Sequence, residues 1–470
     1  GSSLFPANSQ WGFFPSASIG WRLSEEPWMK WAKSWMSNFK IRANVGSLGN
    51  ATISPYSFLE LMEVKKADKI IDNGKYPYTL AASIIPDNLT WETVTTYDIG
   101  LDADFLKSRL SISGDYYVRD VNDMFVQGPE LPEVLGDSTP KGNYGSIETK
   151  GWEATIGWRD AFKVAGKDFN YSVKASVWDS RTKVKQFYNM NGNILTYYKG
   201  KEIGEIWGFR TDGYFLSNEE ANNWAVDKFH KNGSNFREYA GDLKFIDING
   251  DGKIDYGKGT LDDHGDLERI GSQSPRYFFG INLGANWNGI GVSVFLQGVG
   301  KRDWYPSCES GFFWGMYNRP YGYLPKVHTQ DVVDVDYSTT NWVVTNASNK
   351  PYFTRPVAYS ANRNDGPLTF ENDYYMQNAA YVRLKNLTVD YTFPSKLTKK
   401  IHIEKLKVYF SGENLFTFSP IYKHTKMFDP ETLGFGDSDF GSNVGGLGGV
   451  GQGYTYPMLK TYTVGLNITF

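Results

Sequence analysis

The sequence has little cysteine, no long apolar run and almost no net charge. One cysteine, Cys308, in 470 residues excludes an intrachain disulfide and any zinc or iron–sulfur site built from clustered thiolates. No stretch of 18 or more apolar residues is present, so no transmembrane helix can be read from the sequence. With 49 Lys and Arg against 52 Asp and Glu, the net charge of -3 differs from the strongly basic balance of a nucleic-acid-binding protein.

The sequence also lacks the motifs of common enzyme classes. HExxH, GxSxG and GxxxxGK[ST] are absent, and the five histidines are scattered without the spacing of metal ligands. The distance between the two carboxylates that glycoside hydrolysis needs is set by the fold and cannot be read from the sequence. Asp and Glu are so common that any sequence offers many such pairs, so their presence is no evidence for an enzyme. These observations favour a protein that is not an enzyme.

Aromatic residues are abundant, at 16% of the chain, and many segments alternate between apolar and polar residues. Residues 461–470 read TYTVGLNITF, in which every even-numbered residue is apolar and every odd-numbered residue is small or polar. Alternation over about ten residues predicts strands with one apolar face. The same period of two recurs at 96–105, 152–158, 169–177 and 387–393.

The alternation predicts eleven strands whose connections are short and long in turn. Short turns on one side and long loops on the other are typical of an outer-membrane β-barrel. A soluble extracellular β-sandwich that binds glycans is the alternative, but a sandwich has no reason to keep its long loops at one end. We therefore predict an all-β fold, a transmembrane antiparallel β-barrel with long extracellular loops. The strands lie near 11–23, 38–47, 93–106, 108–121, 149–160, 168–180, 274–287, 289–300, 376–394, 404–416 and 457–470.

The odd number of strands predicts an incomplete barrel. A chain that starts on the long-loop side and crosses eleven times ends on the short-turn side, whereas both termini of a closed barrel of even strand number lie on one side. Eleven strands also leave edges of unpaired backbone groups, which lipid does not tolerate. We expect further strands to complete the wall.

A local motif, DINGDGKID, matches much of a calcium-binding loop. Position 7 is the carbonyl of Lys253, but position 12, which should supply a carboxylate, is Lys258, so Asp262 or Asp263 must replace it. Two interpretations stay open: a structural Ca²⁺ or Mg²⁺ site, or Asx turns in a solvated loop without an ion. No cofactor is required. The residues at positions 1, 3, 5, 6 and 9 are Asp247, Asn249, Asp251, Gly252 and Asp255.

Eight aromatic residues are concentrated within twenty positions after the eighth predicted strand. Flat apolar rings with polar edges suit sugar rings or peptide side chains in a concave site, so these are candidate substrate-binding residues. The alternative is that the rings pack a long loop against its neighbours. The eight are Trp304, Tyr305, Phe312, Phe313, Trp314, Tyr317, Tyr321 and Tyr323.

The first short connection, 24–37, is rich in tryptophan. Trp28, Trp31 and Trp35 stand at helical spacing, which predicts either a small interfacial helix or a turn with anchoring tryptophans. Tryptophan is enriched at membrane–water interfaces, so both interpretations suit the end of a membrane-spanning strand.

Ten stretches along the chain occur in the same order in one known family. Together they cover the sequence nearly from end to end, and the sequence resembles the C-terminal half of the SusC-like (SusC/RagA) TonB-linked outer-membrane transporters. The stretches are WGFFPSASIGWRLSEE from Trp11, KIRANVGSLGN from Lys40, LTWETVTTYDIGLDADFLKSRL from Leu89, DYYVRDVNDMF from Asp115, NYGSIETKGWEATIGW from Asn143, GEIWGFRTDGYFLSNEE from Gly204, DINGDGKIDYG from Asp247, YVRLKNLTVDYTFP from Tyr381, SGENLFTFS from Ser411 and MFDPE from Met427.

The resemblance implies a 22-stranded barrel, of which residues 1–470 form the C-terminal part, without the N-terminal plug, the TonB-contacting segment and the first strands. It implies import of oligosaccharides or peptides across the outer membrane of a Gram-negative bacterium, driven through TonB. The implied partners are a SusD-like surface lipoprotein acting as a lid, outer-membrane lipid, and the barrel-assembly machinery. Phe470, after an alternating strand, resembles the C-terminal signal that this machinery reads.

Overall fold

Eleven strands form one sheet in the computed structural model of the protein. The structure describes residues 1–70, 74–80, 82, 84–86, 89–132, 134, 139–227, 238–306, 310–318, 324–357, 368, 370–433 and 456–470. Every strand pairs with its neighbours in sequence, so the sheet is an up-and-down meander with β1 and β11 at its edges, and it is not closed. In order, the strands are β1 (Ser16–Arg22), β2 (Met36–Asn50), β3 (Glu92–Phe105), β4 (Leu110–Gln127), β5 (Lys141–Val164), β6 (Lys167–Gln186), β7 (Arg276–Trp287), β8 (Ile290–Lys301), β9 (Tyr381–Thr392), β10 (Lys405–Phe418) and β11 (Thr461–Thr469).

All eleven predicted strands are confirmed, and the all-β class with them, but some boundaries differ. β4 continues to Gln127 and β5 already begins at Lys141, beyond the predicted limits of 121 and 149. The added stretches, NDMFVQ and KGNYGSIE, do not alternate between apolar and polar residues, so the period of two gives no signal there. β9 begins later than predicted because Gln377–Asn378 pairs with Asp303–Trp304 instead of extending β9.

The register of β10 with β11 shows how the two faces separate. Val408 pairs with Leu466 and Phe410 with Val464 on the apolar face, whereas Tyr409 pairs with Gly465 on the polar face. The apolar face of β11 is exposed. Such a face, presented by successive strands, is what a lipid-facing wall requires.

The predicted short connections are confirmed as tight turns or short helical segments. Residues at positive φ reverse the chain between β3 and β4 (Leu106, Lys107 and Ser108) and between β7 and β8 (Asn288 and Gly289). The tryptophan-rich connection between β1 and β2 forms two 3₁₀ turns rather than an α-helix. The segment is therefore not an α-helix, and its contact with a membrane interface stays a prediction.

Short elements occupy the long loops and some of the turns. No helix in the described part of the chain is long and apolar enough to cross a membrane. The α-helices are Asn218–Asn222, Gly311–Trp314, Val327–Gln330 and Ser395–Thr398, and the 3₁₀ turns are Leu23–Glu25, Pro27–Ala32, Gly315–Tyr317, Ala347–Asn349, Lys399–Ile401 and Pro420–Lys423. The two-stranded ladders pair Val64–Lys66 with Pro77–Thr79, Glu205–Phe209 with Leu267–Ser272, Thr211–Tyr214 with Leu243–Phe245, Val226–Asp227 with Lys253–Ile254, Asp303–Trp304 with Gln377–Asn378, and Val335–Asp336 with Val343–Val344.

The chain divides into two compact units. The first comprises 1–103, 113–152 and 180–203. Its N-terminal segment packs on Trp91, whose ring lies 4.9 Å from that of Phe5 and whose indole N–H donates to the carbonyl of Ser9 at 3.0 Å.

The second unit comprises 104–112, 153–179 and 204–470. The folded long loops of this unit enclose a core of their own, in which Phe209, Phe215 and Phe245 are fully buried. Phe470, the predicted assembly signal, follows β11 and is exposed. Its role as a signal stays a prediction.

The pairing of Tyr409 with Gly465 yields a first prediction. A Cβ atom on Gly465 would lie 2.4 Å from both Cζ and Oη of Tyr409, so the tyrosine ring covers the glycine. Gly465→Val should push the ring away and cost about 1 to 3 kcal/mol, as overpacking does. We expect the full-length protein to lose its heat-modifiable, folded form at a lower temperature on semi-native gels.

Thr463→Val is the matched control, because Thr463 lies on the same face of β11 and already has a branched Cβ. Adding Tyr409→Ser to Gly465→Val should restore much of the loss. Equal thermal stability of Gly465→Val and wild type would show that the Tyr409 ring can make room for a side chain at position 465 without a cost in free energy.

Candidate functional site

A cavity of about 640 Å³ lies on the polar face of β5 to β9. Its volume falls within the roughly 300 to 1,000 Å³ of typical ligand sites. A second cavity of about 460 Å³ shares Ser172, Gly284 and Ser293 with the first and extends to Phe295 and Asn386. We call the two together the polar groove. The polar side chains lining the first cavity are Arg109, Arg159, Asp160, Asn170, Ser172, Asn286, Ser293 and Asp390.

The period of two explains the composition of the polar groove. Side chains at alternate positions of neighbouring strands point to one face, and on β6 to β9 those that line the groove are Asn, Ser, Asp and Gly, with Phe295 as an apolar exception. Glycine keeps the groove open: a Cβ on Gly291 would lie 2.6 Å from Oδ2 of Asp390, and one on Gly284 would lie 2.9 Å from Oγ of Ser172. The sequence analysis singled out none of these residues, although the polar half of the alternation was their signal.

Charges of both signs line the polar groove. Arg109 pairs with Asp160 at 3.0 Å, and Lys407 pairs with Asp390 at 3.1 Å. Hydroxyl, amide and ionic groups on one wall give a surface that binds through hydrogen bonds. That chemistry suits contact with a polar protein segment or a hydrated solute.

The aromatic cluster lies mainly inside the folded loops. Trp304, Tyr305, Phe313, Trp314 and Tyr317 are at most 2% exposed, whereas Phe312 is 40% exposed. Tyr321 and Tyr323 lie outside the described residues. This burial matches the alternative in which the rings pack the loop, and of the six described rings Phe312 offers a face to solvent.

Ring contacts and hydrogen bonds fix the buried members. The Phe313 ring lies 4.9 Å from that of Trp314 and 5.8 Å from that of Phe353. The Tyr305 hydroxyl donates to the carbonyl of Phe370 at 2.9 Å, and burial raises the pKa of Tyr305 well above its usual range, so it remains a donor. Buried aromatics with satisfied polar ends stabilise a loop fold. Contact of these residues with a substrate stays a prediction.

In the DINGDGKID loop the acidic side chains cap their own backbone. Asp247 accepts hydrogen bonds from the amides of Gly250 at 2.7 Å and Gly252 at 2.8 Å. Asn249, Asp251 and Asp255 each accept from the amide two residues further on, at 2.8 to 2.9 Å, which is the Asx-turn pattern. Among the described residues, no three Asp, Glu, His or Cys side chains are grouped so that they could hold one metal ion.

The residues expected to complete a calcium site take other roles. The carbonyl oxygen of Asp263 accepts from the amides of Lys258 and Thr260, both at 3.1 Å. Asp262 is exposed. Lys253, whose carbonyl was assigned position 7, lies in a ladder with Val226. The arrangement fits the turn interpretation that the sequence left open.

The residue that organises this loop is Asp266, which the sequence analysis did not identify. Its buried carboxylate accepts from the amides of Ile248 at 2.8 Å, Asn249 at 3.4 Å and Asp255 at 2.9 Å. Burial raises the pKa of Asp266 above the usual aspartate value, and these backbone hydrogen bonds oppose that rise. One side chain therefore joins both ends of the loop.

Four charged residues, Arg383, Lys385, Asp429 and Glu431, form a cluster that we call the charged clamp. Arg383 donates to Asp429 at 2.5 Å and to Glu431 at 2.6 Å, and Lys385 donates to Glu431 at 2.9 Å. The other carboxylate oxygen of Asp429 accepts from the amide of Met458 at 2.9 Å. The charged clamp thus fastens the MFDPE segment, noted in the sequence only as a family motif, to β9.

Arg302 holds the same segment from a second side. Its guanidinium donates to the carbonyls of Pro430, at 3.2 Å, and Leu433. Burial lowers the pKa of Arg302 to about 10, so the group is still charged at neutral pH.

Removing the cation of the charged clamp should release the segment. Arg383→Met leaves the Asp429 carboxylate buried without its cation, which costs about 3 to 5 kcal/mol for a broken buried pair. Because each 1.4 kcal/mol corresponds to a factor of about ten, we expect trypsin to cut after Lys426 at least about 100-fold faster in the full-length protein.

Lys407→Met is the control, since it breaks the more exposed pair with Asp390, for which a cost of about 1 kcal/mol or less is typical. Trypsin cleavage at Lys426 should be unchanged there. An unchanged rate in Arg383→Met would show that the charged clamp does not hold the segment.

A third prediction concerns Asp266. Asp266→Ala removes the buried acceptor of three part-buried amide hydrogen bonds, and their loss costs about 1 to 3 kcal/mol in total. The amides of Ile248, Asn249 and Asp255 should then exchange with deuterium roughly tenfold faster or more. Hydrogen-exchange mass spectrometry of residues 243–270 measures this directly.

Asp262→Ala, which removes an exposed carboxylate, should leave the exchange unchanged. The same measurement with and without millimolar Ca²⁺ tests the cation interpretation. Protection of the wild-type loop by Ca²⁺, lost in Asp262→Ala, would show that the turns alone are an incomplete account.

Comparison with known proteins identifies the family. A family model described as TonB dependent receptor-like, beta-barrel matches residues 1–415. TonB-dependent receptor P3 of Formosa agariphila is 28% identical and TonB-dependent receptor SusC of Bacteroides thetaiotaomicron is 24% identical over the whole chain. The alignments cover 43% and 41% of those relatives, so the chain spans less than half of their length.

Solved structures agree on the fold. A chain of the RagAB peptide importer in its closed-closed state superposes with a TM-score of 0.68 at 20% identity, and the open-open state gives 0.66 at 19%. Each covers 100% of this chain and 44% of the other. The soluble β-sandwich alternative finds no support, because beside the large sheet the described residues form only two-stranded ladders. This chain belongs to the TonB-dependent receptor-like β-barrel family, and within it to the SusC-like TonB-dependent transporters.

Proposed function

We propose that the chain is the C-terminal part of the barrel of an outer-membrane importer that is driven through TonB. The observation that carries this proposal is the single meander of eleven strands with an exposed apolar face on one side and the polar groove on the other. An apolar outer band and a polar interior are what a transmembrane barrel requires. Relatives named as TonB-dependent receptors support a transport role rather than an enzymatic one.

The full barrel has 22 strands, and this chain supplies eleven of them. Two features support this half-barrel arrangement. The backbone groups at the outer edges of β1 and β11 need partners, since unpaired N–H and C=O groups are costly in lipid. The matched relatives are also more than twice as long, which leaves room for further strands and an N-terminal plug. The polar groove then faces the plug.

The imported nutrients are oligosaccharides or peptides, captured together with a SusD-like surface lipoprotein that closes over the long loops. The relationship to SusC and the likeness to RagAB, whose structure is described as a peptide importer, support this choice of partner and cargo. Folded long loops, such as the aromatic core around Phe313, give the lipoprotein a defined surface.

Extraction and uptake measurements on the full-length protein test the proposal. We expect it to require detergent for extraction and to migrate faster on gels before heating than after. A strain that depends on it should take up either labelled oligosaccharides or labelled peptides, and an uncoupler should abolish that uptake because it removes the energy that TonB transmits.

A strain that lacks the SusD-like lipoprotein, with the barrel intact, is the control for the partner, and its uptake should fall. Release of the protein into buffer without detergent would overturn the barrel. Uptake that persists without an energised inner membrane would overturn the dependence on TonB.

A further inference from the structure

A buried histidine lies in the aromatic core of the long loops. His328 is 2% exposed, and neither of its ring nitrogens has a hydrogen-bond partner among the described residues. Its ring lies 4.2 Å from that of Phe353 and 5.5 Å from that of Tyr317, and both of these residues are buried. Such surroundings hold the imidazole in its neutral form, because a charged ring would lose its water and gain no anion in exchange.

A second histidine packs on the residue that precedes Phe353. The ring of His424 stacks on that of Tyr352, with 3.7 Å between the centroids. His424 follows the 3₁₀ turn Pro420–Lys423 and is distant from His328 in sequence. Imidazoles from two segments of the chain therefore hold two neighbouring residues of a third segment. We call these four residues, the two histidines and the two residues that they contact, the histidine clasp.

Backbone hydrogen bonds join the histidine clasp to the rest of the folded loops. The amide of Phe353 donates to the carbonyl of Asp331 at 2.9 Å, and the carbonyl of Phe353 accepts from the amide of Val333 at 2.8 Å. The amide of Thr354 donates to the hydroxyl of Tyr375 at 3.0 Å. These bonds link separate segments, so the three amides become accessible to water when the histidine clasp opens.

The titratable groups around His328 do not favour its charged form. Burial lowers the pKa of His328 to about 4, and the nearby carbonyl of Phe313 only partly opposes this fall. Tyr317 and Tyr352 face the histidine from the two elements packed on it, and both stay neutral because burial raises their pKa. Asp331, just after the helix that carries His328, accepts from the amide of Tyr352 at 3.0 Å.

The pKa of His424 is also lowered, first by burial and then by Lys423, and Asp331 opposes the change. Lys326, at the start of the helix that carries His328, is exposed. Both histidines thus bind a proton less readily in the closed loops than in water. Their contribution to the stability of the closed form is complete at pH 7.5 and is lost as the pH falls from about 6.5 toward 4.

We propose that the histidine clasp is an acid-sensitive switch, which holds the long loops closed at neutral pH and opens when its imidazoles take up protons. A histidine that moves into water gains a proton there, so acid favours the open form by mass action. The Phe353 ring lies 5.8 Å from that of Phe313 and 6.0 Å from that of Tyr375, so opening also uncovers these buried rings. The inference goes beyond the proposed function, since it requires neither a cargo nor TonB.

Hydrogen exchange of the full-length protein in detergent tests the inference. Wild type and His328→Phe are compared at pH 7.5 and at pH 5.0. Each observed rate is divided by the intrinsic rate at that pH, which gives a protection factor for the peptides that contain Val333, Phe353 and Thr354. Phenylalanine keeps an aromatic ring in place of the imidazole and cannot take up a proton.

We expect the ratio of the wild-type to the variant protection factor to fall about 30-fold from pH 7.5 to pH 5.0, for a pKa of 6.5 in the open form and about 4 in the closed form. The ratio cancels the opposite contribution of Asp242, whose pKa is raised by burial despite its pair with Arg355 at 2.7 Å. At pH 7.5 the variant should be protected at least as well as wild type, because His328 gives up no hydrogen bond to the described residues.

His402→Asn is the matched control. His402 is exposed in the short connection between β9 and β10, at a φ of 60° that asparagine tolerates, so this variant should keep the wild-type pH dependence. His328→Gln, which is neutral and smaller than phenylalanine, repeats the test if the larger ring does not fit. A ratio that stays constant with pH for the variants at 328 would overturn the inference. An equal loss of protection in β10 of the wild type would also overturn it, because acid would then unfold the barrel and not the histidine clasp.

Discussion

The structure depends on the need to pair every backbone N–H and C=O group where no water can replace the partner. The up-and-down meander meets this need locally, because each strand finds its partner in the next strand along the chain. Two consequences follow from that one constraint. Side chains separate into an apolar and a polar face, and the long irregular segments lie in the connections, where water or a folded loop satisfies their backbone groups.

The backbone N–H and C=O groups of the long loops must also be paired, but their partners lie within the loops and not in neighbouring strands of the sheet. These loops are too long to be simple turns, and their backbone is satisfied by six short ladders and by side chains that accept amide hydrogens, as Asp266 does. Aromatic rings around Phe313 supply the apolar core that these loops lack from the sheet. The charged clamp then fastens one of the folded loops to β9.

The sequence was sufficient to predict the eleven strands and insufficient to predict the polar groove and the charged clamp. The reason is that the strands depend on local patterns, whereas the groove and the clamp depend on contacts between distant residues. Alternation with a period of two is local, so all eleven strands were predicted, whereas extensions without alternation, such as the start of β5, were missed. The polar groove combines residues from five strands, and Arg383 meets Asp429 across a long stretch of chain. Local patterns do not specify such partners. Ring chemistry alone likewise does not separate a buried Trp314 from an exposed Phe312.

Asp429 binds the amide of Met458 through one carboxylate oxygen and the side chain of Arg383 through the other, so one residue holds two positions of the chain. Met458 and Arg383 lie 29 and 46 residues away from it in sequence. Energies of residues that share a partner do not add. A double substitution of Arg383 and Asp429 should therefore cost less free energy than the sum of the two single substitutions.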